Sequence, residues 1–485
     1  MTTPIRPTLR LLAPADVELI VDEACRVLDS AGVLVENEQA AQLLVEAGAT
    51  EHDGRYRLGE KVVRDAVASA PSQIKVYDRA GELAMDLGDD RVHFDPGSAA
   101  IHVFDLEDNR RREVTTADAV GLARLVDALP HYAAQATALA PAEVPKEICD
   151  RYRLFLVLRH AKKPVVTGTF AKDGFAPMKD MLCAVRGGEQ ALRDKPLAIF
   201  DCCPSPPLKW SDLTCQALID CARSGIPAEL VSMPLTGATS PVTLREAVVQ
   251  HCAENLSGVT IHQLAKKGAP IIYGGSPAAF DMRRGTTPMG AVETMMIDSA
   301  YAQVGKHLAL PTHAYMGLSD SKCPDYQAGL ESGIGAVLAA LSGVNVVSGG
   351  GMLDFEMCQS LEKVLLDHDA LGMAHRLING IAKREGDAVA LLGELVTMSS
   401  FLSHSHTRKN WRKELTIASN VIDRDTYGDW EAKGAKWAHD RAAAEVSRQL
   451  DELEPSPLDA DADGALCEIM FAEAKRCGMD ALPES

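Results

Sequence analysis

The sequence predicts an α/β chain built on a (β/α)8 barrel of the TIM type, with an N-terminal helical and antiparallel-strand extension and a helical C-terminal region. Three observations predict it. Short apolar or β-branched runs begin near Tyr132, Val165, Leu197, Glu229, Pro270, Pro311 and Val344, about 32 to 41 residues apart. Helix-length stretches fill the intervals, at 149–161, 175–185, 212–223, 244–267, 290–307 and 326–341. The residues that follow the runs are rich in Gly, Ser, Thr and Pro. Strand, loop, helix and turn at this spacing make the βα unit, and seven such units favour a closed barrel over an open sheet. The eighth strand is expected between Ile378 and Val396, or the closure is irregular.

Residues 1–130 read as N-terminal helices and short antiparallel strands. Asp16 to Glu46 is helical, with Asp16 as N-cap and Val17, Ile20, Val21, Ala24, Val27 and Leu28 at helical spacing. Leu58 to Ala70 is a shorter helix that Pro71 ends. Ile74–Tyr77, Leu83–Leu87, Val92–Phe94 and Ile101–Phe104 alternate like strands, followed by a turn at 107–109 and a helix over 116–129. The barrel is assigned to 131–390. Residues 391–485 form a helical region packed on it. The longest uncharged run, Ser332 to Leu353, carries six Gly, three Ser and Asn345, so it reads as a buried helix and strand, not a membrane span.

Composition removes several functions. The chain has 49 Lys and Arg against 68 Asp and Glu, a net charge of −19. That balance disfavours nucleic acid and anionic membranes, both of which select basic clusters. Met1 to Leu12 has no apolar signal region, and the 12 cysteines form no C-x-x-C pair. A cytoplasmic enzyme with free thiols is expected. His251-Cys252 and Cys202-Cys203 are adjacent pairs whose side chains diverge, and His404 and His406 fall in a polar region, so no metal site is expected.

In a barrel of this kind, chemistry sits just after the strands. Lys322 with Asp320, Asp325 and Glu331 is the densest charged cluster there. Asp320 either orients Lys322 and balances a cation, or caps a helix with Asp325. Glu293 is either a first-turn helix charge or an inward carboxylate. Both are candidate catalytic carboxylates.

Five segments, in order, resemble the trimethylamine methyltransferase (MttB-like) superfamily of corrinoid-dependent enzymes. Asp105 to Asp118 resembles its D-x-x-x-G-x-R-R-x-x-T-x-x-D region, with Asn109 in place of Gly. Pro234 to Leu244, then Ala253-Glu254, resembles G-A-T-x-P-x-T-L…A-E. Ser319 to Glu331 resembles D-A-K-x-x-D-x-Q-x-G-x-E, with Ser321 in place of Ala. Gly349 to Asp354 and His406 to Trp411 complete the set.

The resemblance implies a barrel enzyme that moves a methyl group from an amine to the Co(I) corrinoid (a cobalamin type) of a partner corrinoid protein. The trimethylamine enzymes of the family carry pyrrolysine, and this sequence has only the ordinary twenty residues. Members without pyrrolysine are associated with quaternary amines, so a glycine betaine-like substrate is expected. The alternative is another small-molecule reaction on the same scaffold. A quaternary ammonium is held by aromatic faces. Phe94, Tyr273 and Tyr315 are the expected faces, while Phe104 and Phe170 are assigned to core packing. His313, Lys322, Gln327, Arg283 and Arg284 are candidate partners for a substrate carboxylate, and Glu331 joins the substrate-binding set. Thr236, Gly237, Thr239, Gly349 and Gly350 are expected to face the corrinoid. A homo-oligomer is consistent with the long helical tail.

Overall fold

Eight parallel strands curve into one sheet in the computed structural model, which describes residues 4–484 apart from Ser98, Glu385 and Ser399 and without the Leu395 and Thr397 side chains. In chain order they are β1 (His93–Asp95), β2 (Gln135–Ala136), β3 (Val165–Gly168), β4 (Ala198–Cys202), β5 (Ala228–Leu230), β6 (Ile271–Gly275), β7 (Thr312–Tyr315) and β8 (Val346–Ser348). Each is followed by a helix: α1 (Thr116–Ala128), α2 (Cys149–His160), α3 (Phe175–Arg186), α4 (Asp212–Ser224), α5 (Leu244–Ala265), α6 (Val292–His307), α7 (Tyr326–Ser342) and α8 (Leu361–Ile378). Neighbouring strands run β1-β8-β7-β6-β5-β4-β3-β2. A Phe94–Tyr132 bridge closes the seam, and the Ala133 N–H donates to the Phe94 carbonyl at 2.8 Å.

The closing strand is therefore β1, not a segment between Ile378 and Val396. That segment holds the end of α8 and the start of α9 (Ala388–Met398). β1 is three residues long and is separated from β2 by a hairpin, His102–Asp105 with Arg110–Glu113, as well as by α1. The hairpin makes its surroundings look antiparallel, yet β1 itself pairs parallel with β8.

Side-chain parity sorts the barrel. Alternate strand residues face opposite sides. Phe200 points outward to Phe175 on α3, with ring centroids 5.2 Å apart, while Asp201 points inward. Burying each such ring contributes about 1.5–3 kcal/mol. Asp201 and Glu229 are register partners on β4 and β5, and Tyr315, Ser348 and Asp95 form one register row on β7, β8 and β1.

The N-terminal region also differs from expectation over 16–46. The first helix runs Pro14–Ser30 from Ala13, with Asp16 in its first turn and no side-chain cap. It stops before Gly32, whose φ is +68° and whose added Cβ would lie 2.8 Å from the Tyr56 carbonyl oxygen. A strand, Val33–Val35, and a second helix, Glu38–Glu46 capped by Asn37, complete the stretch. At the C-terminal end, α10 (Ala438–Glu452) packs on α8 and α1, and α11 (Ala460–Arg476) packs on α2 and α3. Among the described residues, no helix is long and apolar enough to cross a membrane.

Candidate active site

A cavity of about 240 Å3 opens at the C-terminal ends of the strands. It is smaller than the roughly 300–1,000 Å3 of drug-sized sites and suits a small substrate. Phe170 and Tyr315 give it aromatic walls, Asp201, Glu356 and Arg153 give it charge, and Gly97, Ala99, Gly168 and Ser276 keep its rim small. A wider depression of about 410 Å3 lies at the opposite end of the strands, beside Tyr77, Pro196 and Pro270. That end of a (β/α)8 barrel carries stability, and the C-terminal face carries chemistry.

Below the cavity, polar groups fill the barrel. The Ser348 hydroxyl donates to Asp95 at 2.7 Å, and the Gly97 N–H donates to the same carboxyl at 2.9 Å. His313 Nε2 lies 3.3 Å from the Ser348 oxygen and 3.2 Å from Glu229 Oε1. Burial lowers the His313 pKa to about 3, so the ring is neutral.

The carboxyls respond to burial in the opposite sense. Asp95 is pushed up to about 7 by burial, against its bonds from Ser348 and Gly97. Asp201 and Glu229 are both raised, first by burial; they lie against each other, so the pair holds a proton. Glu356 is pushed up to about 8 by burial, then by the charges of Asp320 and Asp201. One of its carboxyl oxygens is buried with no hydrogen-bond partner among the described residues.

Glu356 reaches the cavity from a strained turn. Asp354, Phe355 and Glu356 have φ of 51°, 57° and 66°, three successive non-glycine residues in the left-handed region. Each such residue costs about 1–2 kcal/mol and persists where surroundings over-determine it. Here Arg111 pairs with Asp354 at 2.5 Å, and Lys322 Nζ lies 3.2 Å from Asp354 and 3.9 Å from the Phe355 ring centroid. The Asp354 N–H donates to the Ser321 carbonyl at 2.9 Å. Three of the sequence segments singled out above thus meet at this turn.

Residues 2–478 match the trimethylamine methyltransferase (MTTB) family. The chain belongs to this family. It is 31% identical over 435 residues to the trimethylamine methyltransferase MttB of Desulfitobacterium hafniense (strain DSM 10664 / DCB-2), covering 89% of this chain and 87% of that one. It is 28% identical over 475 residues to the glycine betaine methyltransferase of Desulfitobacterium hafniense (strain Y51), covering 97% and 98%. It is 30% identical over 465 residues to the MttB of Methanosarcina thermophila, covering 93% and 95%. The solved monomethylamine methyltransferase (MtmB) of Methanosarcina barkeri aligns with a TM-score of 0.48 at 10% identity, covering 91% of this chain and 93% of that one. The protein is a methyltransferase.

Of the residues expected in the site of this methyltransferase, His313 and Tyr315 lie in the barrel interior, their rings edge-on at 4.9 Å. Phe94 and Tyr273 do not. Both have outward parity. Phe94 packs edge-on against His375 of α8 at 5.1 Å, and Tyr273 packs against His251 and Tyr301 of α5 and α6. Phe170, expected in the core, is instead 47% exposed in the cavity wall, whereas Phe104 is buried with Leu353 and Cys358.

Asp320 accepts the Met289 and Gly290 N–H groups at 2.9 and 2.8 Å, and burial raises its pKa to about 6. It pins the loop before α6. Glu331 takes the Ser319 hydroxyl at 2.5 Å and the Asp320 N–H at 2.9 Å, and Gln327 donates to Glu331 at 2.9 Å. Lys322 buttresses the strained turn. Glu293 is an exposed first-turn residue of α6. Arg283 pairs with Asp281 on an exposed turn that also carries Arg284.

Among the expected corrinoid-facing residues, Thr239 accepts the Leu235 N–H at 3.0 Å and Thr236 accepts the Phe280 N–H at 3.3 Å. Gly237 is exposed at the tip of the same turn. Gly349 and Gly350 are buried, and a Cβ on Gly350 would come 2.4 Å from the Tyr132 hydroxyl, so close packing accounts for them. His404 caps the helix Ser405–Glu414 and lies 2.8 Å from Glu394. Among the described residues no cluster of His, Cys, Asp and Glu could hold a metal.

Asp95, Asp201, Glu229 and Glu356 were not singled out as site residues. The usable signal for Asp201 and Glu229 was a carboxylate inside an apolar strand run, since such groups are rarely buried without a task.

Proposed function

We propose that this methyltransferase moves a methyl group from a quaternary amine of the glycine betaine kind to the corrinoid of a separate corrinoid protein that docks over the barrel mouth. The observation that carries this reading is the cavity's combination of aromatic walls, Phe170 and Tyr315, with the half-buried carboxyls Asp201 and Glu356. A tetraalkylammonium has no N–H to donate, so ring faces and carboxyls that ionise beside a cation are the groups that recognise it. The small rim residues fit a flat macrocycle approaching from outside.

The corrinoid, when bound, supplies a Co(I) nucleophile that takes the methyl while the C–N electron pair returns to nitrogen. The chain's residues orient and desolvate. Tyr315 and Phe170 enclose the trimethylammonium group and exclude water from it. Asp201 and Glu356, raised by burial, ionise beside the bound cation and offset its charge. Glu229, His313, Ser348 and Asp95 form the polar floor that fixes Asp201 and Tyr315. The leaving amine departs neutral, so the floor delivers no proton to it.

The test is visible absorbance of cob(I)alamin with purified protein and a panel of glycine betaine, proline betaine, carnitine, choline and trimethylamine. Enzyme-dependent loss of the Co(I) signal with a quaternary amine and none with trimethylamine is expected. Silence across the panel, repeated with the cognate corrinoid protein, overturns the reading. The same reading takes the protein as a homo-oligomer, because Ile381, Val389, Leu392, Val396, Leu402 and Ile417 are all exposed in one C-terminal segment. Light scattering that gives a single ~52 kDa species would contradict it.

A further inference from the structure

Arg153, on the second turn of α2, is a buried cation without a counter-ion. It is 3% exposed and lines the cavity. Its Nη1 donates to the Thr137 carbonyl at 2.6 Å, and its guanidinium lies 4.4 Å from the centroid of the Phe170 ring. Its Nε is buried with no hydrogen-bond partner, and among the described residues no carboxylate comes within ion-pair distance of it. Burial lowers its pKa, against the more distant charges of Asp150 and Asp201. Burying an unpaired charge is costly, and a protein retains one where a ligand completes it.

We propose that Arg153 anchors the carboxylate of the betaine donor and is the residue that makes the site prefer a quaternary ammonium bearing a carboxylate over one without it. The proposal rests on the quaternary-amine reading above and deepens it by naming its specificity-determining residue. The guanidinium fork matches a carboxylate in plane and charge. Phe170 serves both ends, stacking under Arg153 while walling the cavity. A doubly charged anion such as phosphate would meet a single cation, with Asp201 and Glu356 sharing the cavity. A cation without a carboxylate would leave Arg153 unmatched. A betaine, with zero net charge and separated poles, satisfies Arg153 and the carboxyls together. Of the carboxylate partners expected earlier, Lys322 and Arg283 are paired elsewhere, Gln327 donates to Glu331, and His313 is neutral.

The test compares three isosteres by binding calorimetry on the full chain, with no corrinoid present. Glycine betaine has both poles, choline lacks the carboxylate, and 3,3-dimethylbutanoate replaces the nitrogen by carbon. For the unaltered protein, glycine betaine is expected to bind about 10- to 100-fold more tightly than choline, the worth of a charge-assisted bond. Arg153→Gln is expected to erase that difference by weakening glycine betaine and leaving choline within about threefold. Arg153→Lys, which keeps the charge and loses the fork, is expected to fall between. Choline binding as tightly as glycine betaine to the unaltered protein overturns the proposal whether or not the variants fold. If no trimethylammonium compound binds but 3,3-dimethylbutanoate does, and Arg153→Gln abolishes it, the amine reading fails while the anion anchor stands. Glycine betaine binding that Arg153→Gln does not change overturns the anchor and leaves the amine reading intact.

Discussion

Two arginines on one helix, two residues apart, are both buried, and they are held in opposite ways. Arg151 faces α11 and is surrounded: Asp150 lies at 3.1 Å, Asp173 at 2.7 Å and Glu473 at 2.9 Å. Arg153 faces the barrel mouth and has a carbonyl and an aromatic ring. The first arrangement has the form of a tie between α2, the loop after β3 and the C-terminal helix. The second leaves the Arg153 Nε without a hydrogen-bond partner, on a side chain that lines the cavity. Burial alone does not distinguish a structural charge from a binding charge; the completeness of its partners does.

The largest effect expected from breaking this comparison is on stability. Arg151→Ala leaves Asp150 fully buried without its cation, and removing one partner of a buried pair costs about 3–5 kcal/mol. Arg153→Gln removes a buried charge that had no pair, so its unfolding free energy is expected to stay within about 1 kcal/mol of the parent or to rise. Urea unfolding of the two variants beside the parent reads this directly. Equal losses in both would mean that Arg153 is held by the fold after all.

Next is the pH dependence set by the cavity's carboxyls. Glu356 has an ordinary value of 4.5 and is raised to about 8 by burial. The folded chain therefore binds a proton there more tightly than the unfolded chain does. Stability from this group is full below about pH 4.5 and declines as pH rises toward 8. Asp95, raised to about 7 from 3.8, acts in the same direction. The ligand-free protein is expected to lose thermal stability from pH 6 to pH 9. A bound betaine, whose ammonium favours the ionised carboxyls, should offset that loss. Glu356→Gln is expected to flatten the ligand-free profile and to weaken betaine binding. A profile unchanged by the substitution would place the titration elsewhere.

The extent to which the site was legible follows from the same comparison. Seven strands stood out because a buried parallel strand is a near-continuous apolar run, and their spacing gave the barrel. β1 is read as a strand over 92–94, but the antiparallel hairpin that follows it draws it into the N-terminal extension and away from the barrel. Tyr315 and His313, on β7, are legible as residues of the barrel interior. Phe94 and Tyr273 sit on barrel strands too, and one residue of parity turns their rings to the helices. Arg153 was illegible. Every residue of α2 from Cys149 to Leu158 is buried, so no polar face marks its environment, and only the three-dimensional partner list separates Arg153 from Arg151. Glu356 lies in a left-handed turn of ordinary residues, Asp-Phe-Glu, where sequence rules expect glycine or asparagine.

A smaller effect separates the ring the barrel uses from those it does not. Tyr315→Leu is expected to weaken glycine betaine by about tenfold, a cation–π contribution of 1–2 kcal/mol in a desolvated site. Phe94→Leu, on the helix side, is expected to leave binding unchanged and to lower stability by about 1 kcal/mol through lost packing. The reverse pattern would move the ammonium site out of the barrel mouth.

The smallest and sharpest test is Phe170, which connects the two arginines. Its N–H donates to Asp150 at 2.7 Å, so the knot around Arg151 holds the loop whose ring covers Arg153. Phe170→Leu keeps that backbone bond and an apolar cover but removes the ring face. Because the ring is half exposed, the unfolding free energy should move by no more than about 0.5 kcal/mol. Glycine betaine should weaken about two- to fivefold, the range of an exposed cation–π contact. In an Arg153→Gln background the same substitution should cost less, because one of the two cations it serves is gone, and a double-mutant cycle measures that coupling. Additive losses would mean that Phe170 walls the cavity without acting through Arg153.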